Sequence, residues 1–236
     1  MTRDERLLRA GVTDESALAA GLARLAAGEP LAHILGEWDF YDLTLRVTAD
    51  TLIPRPETEH LVEYAIKHLP HGARFLDLCT GSGCVAITVL AHRPDTTAVA
   101  VDLSTAALGI ARENATRIGV LERITLQHAD ILTEKQDVAS FDAILSNPPY
   151  IASAVVDTLD VSLSYEPRMA LDGGADGLCF YRAIRDVQQA AVRPGGFLAM
   201  EIGYDQAAAM RDLFAGVEIL KDYSGNDRVA VVKIPD

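Results

Sequence analysis

Phe75-Leu76-Asp77-Leu78-Cys79-Thr80-Gly81-Ser82-Gly83 decides the fold of this chain. Residues 75–78 read as a short strand. The glycines that follow permit a tight turn and let a ligand approach the backbone closely. Residues 85–90 then open a helix, whose first N–H groups have no partner within it. A strand, a glycine turn and a helix in that order begin a βαβ unit.

The same alternation extends outward. Residues 98–101, 124–126, 141–145 and 197–202 read as further strands. Residues 104–118 form a helix with Ala107, Leu108, Ala111, Ala115 and Ile118 on its buried side. A long helix is expected over 178–192, stopped by Pro194-Gly195-Gly196, and another over 205–214. Residues 217–220 and 229–232 close the sheet as an antiparallel pair around Ser224-Gly225-Asn226-Asp227. The expected class is α/β: a doubly wound, mostly parallel seven-stranded sheet with an antiparallel C-terminal strand. Upstream, Trp38, Phe40, Leu43, Leu45 and Val47 with Asp42 between them predict a small β-hairpin. Pro54 and Pro56 stiffen the approach to a helix carrying Leu61, Val62, Ala65, Ile66 and Leu69. Residues 1–29 read as short helices, one capped by Ser16 and ended by Gly28-Glu29-Pro30. The expected organisation is a short helical extension at 1–37, a hairpin and linker at 38–56, and one large domain at 57–236.

The net charge, 21 minus 34 or -13, disfavours broad contact with a phosphate backbone, so stable nucleic-acid binding is not expected. A small molecule or a basic protein partner fits better. No run of 18 apolar residues is present, and the charged start Met1 to Arg6 lacks an apolar signal core. The three cysteines, Cys79, Cys84 and Cys179, are too sparse for a disulfide framework and point to a reducing cytoplasm. Cys84 and Cys179 are expected as buried filler, and Cys79 as a small wall residue. The six histidines form no metal-ligand motif, and no metal is expected. A monomer is favoured.

Asp102, ending the strand after the glycine loop, can accept both hydroxyls of a ribose. Gly81-Ser82-Gly83-Cys84-Val85-Ala86 alone leaves three readings open: a methyl donor, a dinucleotide, or a turn without a ligand. Asp130 reads either as a contact to an adenine amine or as a helix cap, and Asp77 as a mixed ligand and loop-ordering residue. Asn147-Pro148-Pro149-Tyr150 follows the strand at 141–145. An amide nitrogen is a poor nucleophile, so its methylation needs alignment and acceptors for its N–H bonds. Asn147 Oδ1 and the Pro148 carbonyl can accept two hydrogens of one planar NH2. The prolines fix the backbone, and Tyr150 can cover the flat face. No strong general base is required if the proton leaves after transfer. An exocyclic adenine amine satisfies the same logic, although duplex substrates demand base extrusion.

Together these segments resemble the class I, S-adenosylmethionine-dependent methyltransferases with an NPPY motif, most closely the protein-(glutamine-N5) methyltransferases of bacterial peptide-chain release factors. The resemblance runs from Gly28-Glu29-Pro30-Leu31-Ala32 through Leu52-Ile53-Pro54-Arg55-Pro56-Glu57-Thr58-Glu59, both motifs, Tyr165-Glu166-Pro167-Arg168 and Ala170-Leu171-Asp172-Gly173-Gly174, to Asp222-Tyr223 and Asn226-Asp227-Arg228. It implies N5-methylation of the glutamine in a release-factor Gly-Gly-Gln loop, with S-adenosylhomocysteine as by-product. It implies Asn147, Pro148, Pro149 and Tyr150 at the reacting amide. It puts Asp77, Cys79, Gly81, Gly83, Asp102, Leu103, Asp130, Ile131 and Asn147 along the cofactor. Phe40, Tyr41, Arg55, Pro56 and Glu201 fall on the substrate side, with a core role open for Phe40 and Tyr41, a surface ion-pair role open for Arg55 and a loop-organising role open for Glu201. Other protein glutamines, such as those of ribosomal proteins, small-molecule amides or amines, and adenine N6 are the alternative substrates. Two departures stand out. Only about 28 residues precede Gly28-Glu29-Pro30, which predicts a reduced recognition region. Cys79 replaces the usual first glycine of the loop, so the backbone there is expected to avoid a glycine-only conformation.

Overall fold

A computed structural model describes residues 1–138 and 140–236. Helix α1 (Arg3–Gly11) begins with a capping box between Thr2 and Glu5. Helix α2 (Glu15–Ala26) is capped by Asp14, not Ser16: the Asp14 carboxylate accepts from Ala17 N at 2.7 Å, two positions earlier than expected. Leu8 of α1 is fully buried beside Gly21 of α2. A short helix not anticipated, α3 (Leu31–Leu35), leads into strands β1 (Glu37–Phe40) and β2 (Leu43–Arg46), which form the expected antiparallel hairpin.

Helix α4 (Glu59–His68) precedes β3 (Arg74–Leu78), α5 (Cys84–His92), β4 (Thr97–Asp102), α6 (Thr105–Ile118), β5 (Ile124–His128) and β6 (Phe141–Ser146). Then come a short α7 (Ser153–Val156), α8 (Cys179–Ala183), β7 (Val192–Glu201), α9 (Ala207–Leu213), β8 (Glu218–Lys221) and β9 (Asp227–Lys233). The seven-stranded sheet has the order β5-β4-β3-β6-β7-β9-β8. Its pairs are parallel except those of β9, which runs against both β7 and β8.

Alternation along the strands feeds two cores. Phe75, Ala98, Ala100, Ala143, Leu145, Phe197 and Ala199 face α4, α5 and α6. Leu76, Leu78, Val99, Val101, Ile144, Leu198 and Met200 face α8 and α9. Strand order reverses around β3, so β3, β4 and β6 open a crevice at their C-terminal ends.

The helix expected over 178–192 is shorter. It loosens through a π turn (Ile184–Gln188) and a 3-10 turn (Gln189–Ala191), and β7 begins at Val192. Gln188 is fully buried, and its Nε2 donates to the Ile131 and Glu134 carbonyls, which pins this stretch. Pro194-Gly195-Gly196 therefore lies within β7, where the register with β6 jumps from Phe141↔Val192 to Ala143↔Phe197.

Candidate active site

The glycine loop is held from every side. Asp77 Oδ2 accepts the Thr80 hydroxyl at 2.6 Å and Ala86 N at 3.2 Å. Thr80 N donates to Val101 O and Gly83 N to Thr80 O. Asp102 accepts from Gly81 N and Ser104 N, each at 2.8 Å. Asn114 of α6 donates to Ser82 O and to Arg46 O, tying the loop to the hairpin. Gly83 starts α5 at φ 82, and a Cβ there would meet Ile87 at 2.6 Å. Cys79 contradicts the sequence expectation: its φ is 60, inside the left-handed region. The surrounding hydrogen bonds fix the turn, and the chain accepts the local cost of a Cβ there. Burial pushes Asp77 up to about 7 against its hydrogen bonds to Thr80 and Ala86. Burial also raises Asp102, opposed by the Ser104 and Gly81 N–H groups.

The second loop leaves β6, whose residues are all buried. Ser146 Oγ donates to Leu78 O and locks the ends of β6 and β3 together. Asn147 Nδ2 donates to Thr58 Oγ1 at 3.0 Å, and Thr58 donates to Glu201 Oε2 at 2.6 Å. Tyr150 donates its hydroxyl to Glu201 Oε1 at 3.3 Å. Burial drives Glu201 up to about 7, while Thr58, Arg228 and Tyr150 pull the other way. Gln206 donates to Tyr150 O, and Gly173 N donates to Ile151 O. A Cβ at Gly173 would stand 2.8 Å from Pro149 O, so the Gly173-Gly174 segment allows close backing of this loop.

Both loops line one cleft of about 1220 Å³, counted to its open mouth. Asp77, Cys79, Gly81, Asp102, Leu103, Asp130, Ile131, Asn147, Pro149 and Arg55 of the expected residues line it. Asp130 does so while its oxygens accept from Leu132 N and the Thr133 hydroxyl, so it also organises its own turn. Gly83, Pro148, Tyr150, Phe40, Tyr41, Pro56 and Glu201 do not line the cleft. Phe40 is 1 % exposed in the core, where the alternation of β1 turns it inward. Tyr41 lies at the hairpin turn, edge-on to His92 at the far end of α5. The hydroxyl of Tyr150 is taken up by Glu201, and the ring packs on the α8 and α9 core. Glu201, itself 1 % exposed, organises loops instead of facing the cleft. Cys84 also lines the cleft and is half-buried, contrary to the expected core filler, with its thiol pushed up to about 12 by burial. Cys179 is half-buried as well.

The donor set discriminates among ligands. Among the described residues, Asp50, Asp77, Asp102, Asp130 and Asp172 line the cleft against Arg55 alone. Arg55 is already paired with Glu166, which also accepts Ile53 N. Such a field opposes a pyrophosphate and suits a nucleoside carrying positive charge. Leu103, Ile131, Leu132 and Phe180 supply apolar wall for a base. S-adenosylmethionine, a cationic nucleoside, fits this set. Among the described residues, no group of three His, Cys, Asp or Glu is arranged to hold a metal ion. Among the described residues, no helix is long and apolar enough to cross a membrane.

Thr58, Thr80, Asn114, Glu166 and Gln206 support the site without having been singled out by sequence. Thr58 and Glu166 stand inside recognisable segments, but their partners lie far away along the chain.

A family model described as a methyltransferase small domain matches residues 57–163. A release factor glutamine methyltransferase of Caulobacter vibrioides is 44 % identical over 223 residues, covering 91 % of this chain and 77 % of that protein. One from Neisseria gonorrhoeae is 41 % identical over 242 residues, covering 98 % and 88 %. The crystal structure of TrmN from Thermus thermophilus shares the fold, with a TM-score of 0.51 and 24 % identity over 75 % of this chain and 48 % of that one.

Proposed function

The chain belongs to the release factor glutamine methyltransferase family, and from that premise we propose how its own residues carry the reaction. It transfers a methyl group from S-adenosylmethionine to the side-chain amide nitrogen of a release-factor glutamine, within the Gly-Gly-Gln loop. One observation carries the assignment of residues. The glycine loop with Asp102 and the strand-end residues Asn147 and Pro149 share a single cleft, so donor and acceptor groups meet there.

When bound, S-adenosylmethionine supplies an electrophilic methyl carbon. Asp102 holds the ribose hydroxyls, Asp77 and the Cys79–Ser82 backbone the amino-acid end, and Asp130, Leu103 and Ile131 the base. Oδ1 of Asn147, which lines the cleft, accepts one N–H bond of the substrate amide, and the motif resemblance assigns the second to the carbonyl of Pro148, which does not line the cleft in this structure; together they orient the nitrogen lone pair. The rigid prolines keep both acceptors in place before substrate arrives, so little reorganisation accompanies transfer. Pro149 forms wall beside the amide. Tyr150 acts through Glu201 and has no direct contact role. Arg55, held by Glu166, borders the cleft where a protein loop enters. The departing amide proton passes to solvent, and no side chain of the NPPY loop serves as a strong base.

Residues 57–236 form the catalytic domain in this reading, 38–56 the linker at the cleft, and 1–37 a helical recognition region. The protein acts as a monomer in the cytoplasm, and its charge of -13 disfavours nucleic acid as substrate. The test is intact-mass and fragmentation analysis of purified release factors incubated with the protein and S-adenosylmethionine. Parallel reactions hold a free Gly-Gly-Gln peptide, ribosomal proteins and oligonucleotides. One added methyl on the release-factor glutamine is the expected result. Methylation only of another substrate would refute the assignment.

A further inference from the structure

This inference rests on the reading of Asn147 as an acceptor for the substrate amide. It concerns what keeps that acceptor turned the right way. A carboxamide carries an oxygen and a nitrogen of nearly equal size. With Oδ1 toward substrate, Asn147 accepts an N–H. Flipped, its NH2 would meet the substrate's NH2, and donors would face donors. The flanking prolines fix the backbone but do not select between these two orientations.

The Thr58 hydroxyl alone does not select either. It can accept from Nδ2 or donate to Oδ1. Its contact with Glu201 removes the ambiguity. Thr58 Oγ1 lies 2.6 Å from Glu201 Oε2, and a carboxylate only accepts. With Glu201 ionised, the single hydroxyl proton is thereby committed to it. Thr58 has only lone pairs left for Asn147, and Nδ2 at 3.0 Å uses one. Tyr150 donates to the other Glu201 oxygen; burial raises Glu201 to about 7, against the pull of Thr58, Arg228 and Tyr150, so the carboxylate form that holds this arrangement prevails above that pH. Thr58 is fully buried and Glu201 is 1 % exposed, so water does not replace either partner.

We propose that Thr58 and Glu201 are positioning residues that fix the orientation of the Asn147 carboxamide. Their chain of hydrogen bonds runs from Asn147 Nδ2 to Thr58 Oγ1 to Glu201 Oε2, with Tyr150 steadying the far oxygen. Thr58→Val keeps the shape and removes the hydroxyl. Glu201→Gln keeps the shape and introduces a donor that can reverse the chain. Thr58→Ser restores the hydroxyl.

Steady-state methylation of a purified release factor by all four proteins, with calorimetry of S-adenosylhomocysteine binding, tests the proposal. Thr58→Val and Glu201→Gln should each lower kcat by roughly tenfold to a hundredfold. KM for the release factor and the Kd for S-adenosylhomocysteine should stay within about twofold of wild type. Thr58→Ser should recover most of kcat. If Thr58→Val does not bind S-adenosylhomocysteine, the nearly isosteric Glu201→Gln decides. An active wild type whose kcat survives these substitutions overturns this proposal alone, as does a Thr58→Ser protein as impaired as Thr58→Val. A wild type inactive on release factors overturns the substrate reading and this inference with it.

Discussion

Asp102→Ala should separate cofactor affinity from folding. The carboxylate closes β4 and accepts Gly81 N and Ser104 N at 2.8 Å each. It also lines the cleft, and each oxygen keeps a further lone pair for a ribose hydroxyl. At roughly 1.5 kcal/mol for each hydrogen bond to a charged group, two lost bonds amount to about 3 kcal/mol. That corresponds to roughly a hundredfold increase in Kd. The cost to the ligand-free fold is smaller. The vacated space opens onto the cleft, so water can reach the freed Gly81 and Ser104 N–H groups. Burial already disfavours the ionised carboxylate, so its removal relieves a desolvation cost. A stability change of about 1 kcal/mol or less is expected. Calorimetric titration with S-adenosylhomocysteine, beside denaturant unfolding of the same preparations, measures both terms. A Kd within about threefold of wild type would refute the ribose assignment. So would an affinity loss accounted for by unfolding.

Asn147→Ala removes a proposed acceptor from the reacting amide and should lower kcat by about a hundredfold, with S-adenosylhomocysteine affinity nearly unchanged; unaltered turnover in initial-rate assays would exclude the role. Cys79→Gly should stabilise the protein by about 0.5–1 kcal/mol, because the residue stands at φ 60; a lower denaturation midpoint would show that its side-chain packing outweighs the strain. The pH dependence of stability should carry the signature of Glu201, whose pKa in the fold is raised from 4.5 to about 7. A group raised in this way stabilises fully below its unfolded value and loses that contribution as pH rises through about 7. At about 1.4 kcal/mol per pKa unit, the term is on the order of 3 kcal/mol, and Glu201→Gln should flatten the fall in ligand-free stability between pH 5 and pH 8 by about that amount. Identical slopes for wild type and Glu201→Gln in denaturant titrations at the two pH values would contradict it.

The local pattern carried the architecture and both loops. Strand period, helix faces, Gly81 to Gly83 and Asn147 to Tyr150 are written in consecutive residues, because backbone geometry and turn chemistry act over a few positions. The same reasoning failed where tertiary contacts overrode it. Cys79 keeps a left-handed φ because Val101, Asp102 and the turn itself hold the loop. The helix before β7 unwinds because Gln188 is pinned beneath it. Tyr41 and Glu201 sit beside recognisable segments yet do not line the cleft, since sequence proximity does not fix the direction of a side chain. What the sequence by itself determined was therefore the order of elements, the two motifs and the family resemblance. The tertiary structure alone decided which groups share the cleft and which way Asn147 is turned. That orientation depends on Thr58, 89 positions from Asn147, and on Glu201, 143 positions from Thr58. Hydrogen bonds over such separations leave no period in the chain and exist only once the sheet has brought its strand ends together.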